Sequence, residues 1–143
     1  MHLTADLWTY DTRLRVRWYE VDYNGHVNNA VYLNWIAQLA AEHAEACGFG
    51  RSWTRDRGGV WVVRRHDITY HTPAVADDEL KLTVRVLSLA GVRGVRRTDI
   101  SRPADGARIA ECTTEWVWAR VSDGRPARVP AELLAVYAPS AAE

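Results

Sequence analysis

Between Ala30 and Cys47 nearly every position is apolar or small, and the polar residues keep to one narrow stripe. Asn34, Gln38, Glu42 and Glu45 recur at the spacing of a single helical face. The pattern predicts a helix over 30–47. Asn29 or Asn28 can cap it, because a side-chain oxygen there accepts an orphan N–H of the first turn. Gly48 can stop it in a left-handed conformation. A surface helix shows a polar half, so a helix with one thin polar stripe needs cover on most sides.

The rest of the chain alternates with a period of two. In 12–20, Leu14, Val16 and Trp18 face one way and Arg13, Arg15 and Arg17 the other, which predicts a half-buried strand. A polar segment at 51–57 suits one short helical turn around Trp53, and Gly58-Gly59 breaks it. A long strand follows over 60–70, with Val62, Arg64, His66, Ile68 and Tyr70 on one face. Further strands are expected at 80–89, 91–101 (interrupted by Gly94) and 109–121, the last two joined by the turn Pro103-Ala104-Asp105-Gly106. Pro130 opens a short terminal helix to Tyr137. Residues 1–11 show no period and are expected to be a loose arm, and 138–143 a frayed end. One helix followed by tightly connected strands gives an α+β fold, a five-stranded antiparallel sheet curled around one long helix. One helix cannot bury both faces of such a sheet, so a second copy is expected.

With 143 residues the chain suits one domain, 1–143. Eighteen basic and 18 acidic side chains cancel, which argues against nucleic acid as a partner. Lys81 is the single lysine, so arginines carry the positive charge and can grip phosphates in bidentate fashion. Cys47 and Cys112 lie far apart and suggest two reduced thiols. No signal segment and no run of membrane-spanning length are visible, so a soluble cytoplasmic protein is expected.

Chemistry concentrates in the turn before the helix. Asp22 precedes a helix N-terminus, whose unpaired N–H groups and partial positive charge can hold an oxyanion. A carboxylate there can attack a carbonyl or deprotonate a water. From the residues alone, Asp22 as a turn cap is the favoured reading, as for most Asp residues in turns. Glu20 is either a like-charge neighbour that raises the Asp22 pKa or a solvated or paired surface acid. Gly25 allows a positive φ or a close backbone approach to ligand. His26 is either a structural residue or a hydrogen-bond donor beside the carboxylate. Asp22 and His26 lack a third ligand at fitting spacing, so no metal is expected. Arg64, Arg65, Arg93, Arg96 and Arg97 are candidates for nucleotide phosphates; Arg93 leads because it follows a turn beside Gly94.

Asp22, the run Gly25-His26-Val27-Asn28-Asn29-Ala30 and Tyr32-Leu33 resemble the hotdog-fold acyl-CoA thioesterases of the 4-hydroxybenzoyl-CoA thioesterase type. The wording of the run is most like the fatty-acyl branch. The resemblance implies hydrolysis of an acyl-CoA without a cofactor. It implies Asp22 as catalytic carboxylate and the Asn29 N–H as oxyanion donor, with His26 nearby. Gly25, Asn28, Tyr32, Arg93 and Arg64 would line the substrate. It further implies a homodimer, or a homotetramer, with sites at the subunit junction. The acid this family often carries on the helix is replaced here by Ala37 and Gln38. Three rivals stay open: hydrolysis of acyl groups on acyl carrier protein, a non-catalytic acyl-CoA-binding module, and a Trp-rich assembly scaffold. A dehydratase is disfavoured because its His-Phe-Pro signature is replaced by His26-Val27-Asn28.

Overall fold

The computed structural model describes residues 2–3 and 7–141, with side chains over 7–137. The elements run β1 (His2–Leu3), β2 (Thr9–Arg15), α1 (Asn29–Ala46), α2 (Arg51–Asp56), β3 (Gly59–Tyr70), β4 (Glu79–Ala90), β5 (Arg93–Arg102), β6 (Ala107–Arg120) and α3 (Ala131–Ala141). The strands form one antiparallel sheet in the order β1-β2-β4-β5-β6-β3. The five expected strands are present, and the two-residue β1 extends one edge.

Alternation sets the core. Leu80, Leu82 and Val84 of β4, Ile100 of β5 and Ala110 of β6 point inward and pack with Tyr32, Trp35 and Leu39 of α1. Each fully buried side chain of this size contributes roughly 1.5–3 kcal/mol. A second cluster joins Trp8, Trp118, Val129 and Leu133, so α3 closes the far end of the sheet. Gly48 takes φ +85° and ends α1 as its sequence position requires.

Three expectations are corrected. The loose arm is not loose where it is described: Trp8 and Tyr10 are buried and β2 already pairs with β4 from Thr9. Residues 1 and 4–6 of that arm, and 142–143 of the expected frayed end, lie outside the described residues; the terminal helix runs on to Ala141. The first strand ends at Arg15, and 18–20 form a 3-10 turn that the alternation of Leu14, Val16 and Trp18 conceals. In β3 a bulge between Val63 and Arg65 inserts Arg64 as an extra residue. Val62 and Arg64 are therefore exposed while His66 and Ile68 turn inward, and the single face expected for all four does not exist.

Candidate active site

The chain leaves β2 tied to the next hairpin: Val16 N–H donates to Asp78 C=O at 2.8 Å and Asp77 N–H to Val16 C=O at 2.9 Å. The 3-10 turn then swings Glu20 inward. Glu20 is no surface acid, and its exposure is 7%. It accepts from Arg17 N–H at 2.8 Å, Arg17 Nη1 at 3.1 Å and Trp35 Nε1 at 2.9 Å. The bond to Trp35 clamps the turn onto α1.

Past Glu20, Val21 and Val27 form an isolated antiparallel bridge, and the five residues between them make a tight loop. Asp22 N–H donates to His26 C=O at 2.7 Å, and Gly25, at φ +79°, donates its N–H to Asp22 C=O at 3.0 Å. Asp22 Oδ1 accepts the N–H of Asn24 at 2.8 Å and of His26 at 3.3 Å. The capping role weighed for Asp22 is thus real, and it orients the carboxylate. Oδ2 takes no donor from the described residues, and the side chain is exposed in the single chain.

The helix N-terminus completes the arrangement. Asn28 N–H donates to Glu20 C=O at 2.9 Å, which ties the helix start to the same clamp. Asn28 is the cap: its Oδ1 accepts from Ala30 N–H at 2.9 Å, and its C=O accepts from Val31 N–H at 2.9 Å. The Asn29 N–H between them has no acceptor among the described residues. Capping therefore consumes its neighbours and leaves open the donor that the family resemblance singles out. Tyr70 Oη donates to Asn29 C=O at 3.0 Å from the end of β3.

The other candidates scatter. His26 is exposed, joined to Asp22 through its backbone. Tyr32 is buried, its ring 5.2 Å from those of Trp35 and Tyr70, and burial pushes its hydroxyl pKa up. Arg64 and Arg93 meet on the outer face of the sheet, where Glu115 Oε1 accepts from both, at 3.3 and 3.2 Å. Arg64 lies six strand residues from Tyr70, roughly 20 Å at about 3.3 Å per residue, so within one chain neither reaches Asp22. Gly94 faces Leu89 and Trp61 and lines the cavity on α1 instead of the Asp22 turn. Among the described residues no three His, Cys, Asp or Glu side chains gather as a metal site.

Sequence reasoning missed a cavity of about 1020 Å³ on the C-terminal half of α1, lined by Ala37, Ala41 and Ala44 opposite Trp61, Val86 and Trp116. The run of alanines was its only signal. It starts eight residues beyond Asn29, roughly 12 Å along the helix at about 1.5 Å per residue. The Asp22 turn is not part of its lining.

A family model described as the thioesterase-like superfamily matches residues 16–136. The chain belongs to that superfamily. It is a thioester hydrolase with the hotdog fold. It is 29% identical over 106 residues to the long-chain acyl-CoA thioesterase FadM of Escherichia coli, covering 74% of this chain and 80% of FadM. It is 26% identical over 128 residues to the chloroplastic acyl-acyl carrier protein thioesterase ATL2 of Arabidopsis thaliana, covering 90% of this chain and 68% of ATL2. A solved 12:0-ACP thioesterase from Umbellularia californica superposes with a TM-score of 0.82 at 19% identity, over 92% of this chain and 50% of that one.

Proposed function

We propose that this thioester hydrolase acts on acyl-CoA, with Asp22 as nucleophile or general base and the Asn29 N–H as oxyanion donor. The observation that carries the proposal is that one short segment holds both a carboxylate with one oxygen fixed by the loop and, seven residues on, an Asn29 N–H without an acceptor among the described residues. The thioester carbonyl oxygen points at that N–H, where the helix dipole favours negative charge. As base, Asp22 takes a proton from the attacking water; the tetrahedral intermediate then collapses and the CoA thiolate leaves with that proton. As nucleophile, Asp22 attacks the carbonyl carbon, the C–S bond breaks and CoA leaves as the thiolate. The mixed anhydride that remains is cleaved by water in a second step, which releases the free acid, restores the Asp22 carboxylate and supplies the proton that the thiolate takes up. No cofactor is required in either route.

The turn is open in a single chain. Trp18, Tyr19 and Tyr23 stand 79%, 64% and 106% exposed around Asp22, while Ala30, Ala37 and Ala41 of α1 and Val60 and Val62 of β3 are uncovered. β3 is also a sheet edge. A homodimer that pairs β3 edges and α1 helices covers these residues and closes the site, and a homotetramer extends the same logic. Arg64, Arg93 and Tyr32 then belong to the substrate site through the partner or as its floor. The similarity to FadM favours a fatty-acyl substrate over the 4-hydroxybenzoyl type.

The similarity to ATL2 supports acyl carrier protein as the second reading. Thiol release from a series of saturated acyl-CoAs, from an aryl-CoA and from acyl carrier protein loaded with the same chains tests both. A fatty-acyl-CoA preference supports the first reading; turnover confined to the carrier protein replaces it with the second; turnover of none refutes both.

A further inference from the structure

Both flanks of the Asp22 loop are held by one short segment, 73–78. Before the loop, Val16 is tied twice, its N–H to Asp78 C=O at 2.8 Å and its C=O to Asp77 N–H at 2.9 Å. After the loop, Val27 N–H donates to Ala74 C=O at 2.9 Å. Val16, Val27 and Ala74 are all buried. The segment closes on itself as a turn: Asp78 N–H donates to Val75 C=O at 3.1 Å, and Val75 N–H to Asp78 Oδ2 at 3.0 Å. Asp77 takes the third position of that turn at φ +71°, the one positive φ outside glycine among the described residues. A side chain there is strained and persists only where its surroundings fix the backbone. Arg102, the last residue of β5, supplies the fixing point. Its Nη1 donates to Asp78 Oδ2 at 2.8 Å and to Pro73 C=O at 3.3 Å, while its Nε and Nη2 hold Asp105 at 3.1 and 2.9 Å. The Arg102 and Asp78 side chains are each 18% exposed, so solvent screens the pair little.

We propose that Arg102 is a positioning residue for hydrolysis: through Asp78 and the segment 73–78 it fixes both roots of the Asp22 loop, and with them the placement of the Asp22 carboxylate against the Asn29 N–H. The inference rests on Asp22 as the reacting carboxylate. The hydrogen bonds of Arg102 go to Asp78, Pro73 and Asp105, so its effect reaches the site through the backbone. Val27 is the point of transmission. It is bridged to Val21 beside Asp22 and is followed directly by Asn28 and Asn29, so a shift at Ala74 moves the acid and the donor. A displacement of about 1 Å at a reacting group is enough to cost about a hundredfold in rate. The two carboxylates on Arg102 serve different ends. Asp105 closes the β5–β6 hairpin, where its Oδ1 also accepts Ala107 N–H at 3.0 Å. Asp78 leads to the Asp22 loop.

Steady-state kinetics of the full chain on its best acyl-CoA substrate, at equal folded protein, test this with Arg102→Leu, Asp105→Ala, Asp22→Asn and the double variant Asp22→Asn/Arg102→Leu. Arg102→Leu should lower kcat about tenfold or more and leave KM within about twofold, because reacting geometry is lost and binding is not. Asp105→Ala should lower the thermal midpoint and leave kcat within about twofold. The double variant should be no slower than Asp22→Asn, since no reacting carboxylate remains to be placed. Full kcat in Arg102→Leu, an equal loss of kcat in Asp105→Ala, or a further fall of the same factor in the double variant overturns the proposal. A wild-type rate in Asp22→Asn removes the Asp22 reading and this inference with it; a slow Asp22→Asn beside a full-rate Arg102→Leu removes this inference alone. Should Arg102→Leu not fold, Arg102→Lys decides by the same comparisons. It keeps the charge but cannot grip Asp78, Pro73 and Asp105 together, so a smaller fall in kcat is expected and a full rate counts against the proposal.

Discussion

Glu20 shows how one side chain positions another. Its carboxylate holds two donors of Arg17 and the Trp35 indole, and its backbone carbonyl holds Asn28. Glu20→Ala leaves the Trp35 N–H buried without an acceptor, so unfolding in urea should show a loss of about 2–3 kcal/mol, with Glu20→Gln losing less. The sequence offered Glu20 only as a neighbour of Asp22, because nothing local marks a bond to a residue fifteen positions later. His66 makes the second residue-scale prediction. Burial lowers its pKa in the folded state, so below the ordinary histidine value near 6.5 the unfolded chain binds more protons there. Stability should therefore fall as pH drops from about 7.5 through 6.5 toward the lowered folded value. His66→Gln should flatten that part of the midpoint-versus-pH curve; an unchanged slope assigns it to other groups.

At the scale of elements, the stretch Asp22–Gly48 was the most legible part of the chain. Its helix differs by one residue at each end, because a cap, a 3.6-residue period and a left-handed stop are all written locally. Strands β4, β5 and β6 were likewise legible from alternation and turns. What failed was set by distant partners. The first strand stops early because Glu20 is pulled to Trp35, and β3 breaks its alternation because it bulges against β6. The Arg96–His43 contact joins residues 53 apart in sequence and left no pattern to find. The α1 cap gives an element-scale prediction. Asn28→Ala should cost about 1 kcal/mol by losing the bond to Ala30, and Asn28→Asp should restore most of it. Since neither change removes the Asn29 N–H, hydrolysis by the folded Asn28→Asp variant should stay within a few-fold of wild type.

For the whole molecule, the exposed edge of β3 and the alanine face of α1 call for a second copy. Sedimentation of the wild type should give at least twice the mass of one chain. Val62→Lys, on the solvent face of that edge, should shift it toward monomer and reduce hydrolysis in parallel. A monomer with full activity would confine the site to one chain. The central claim, that the open oxygen of Asp22 does the chemistry beside the end of α1, is tested most directly by the steady-state rate of Asp22→Asn on the best acyl-CoA substrate, at equal folded protein. Asparagine can keep the Oδ1 bonds of the loop while losing the charge, so the account predicts a fall in kcat of about a hundredfold or more with the thermal midpoint little changed. A rate within a few-fold of wild type would contradict it.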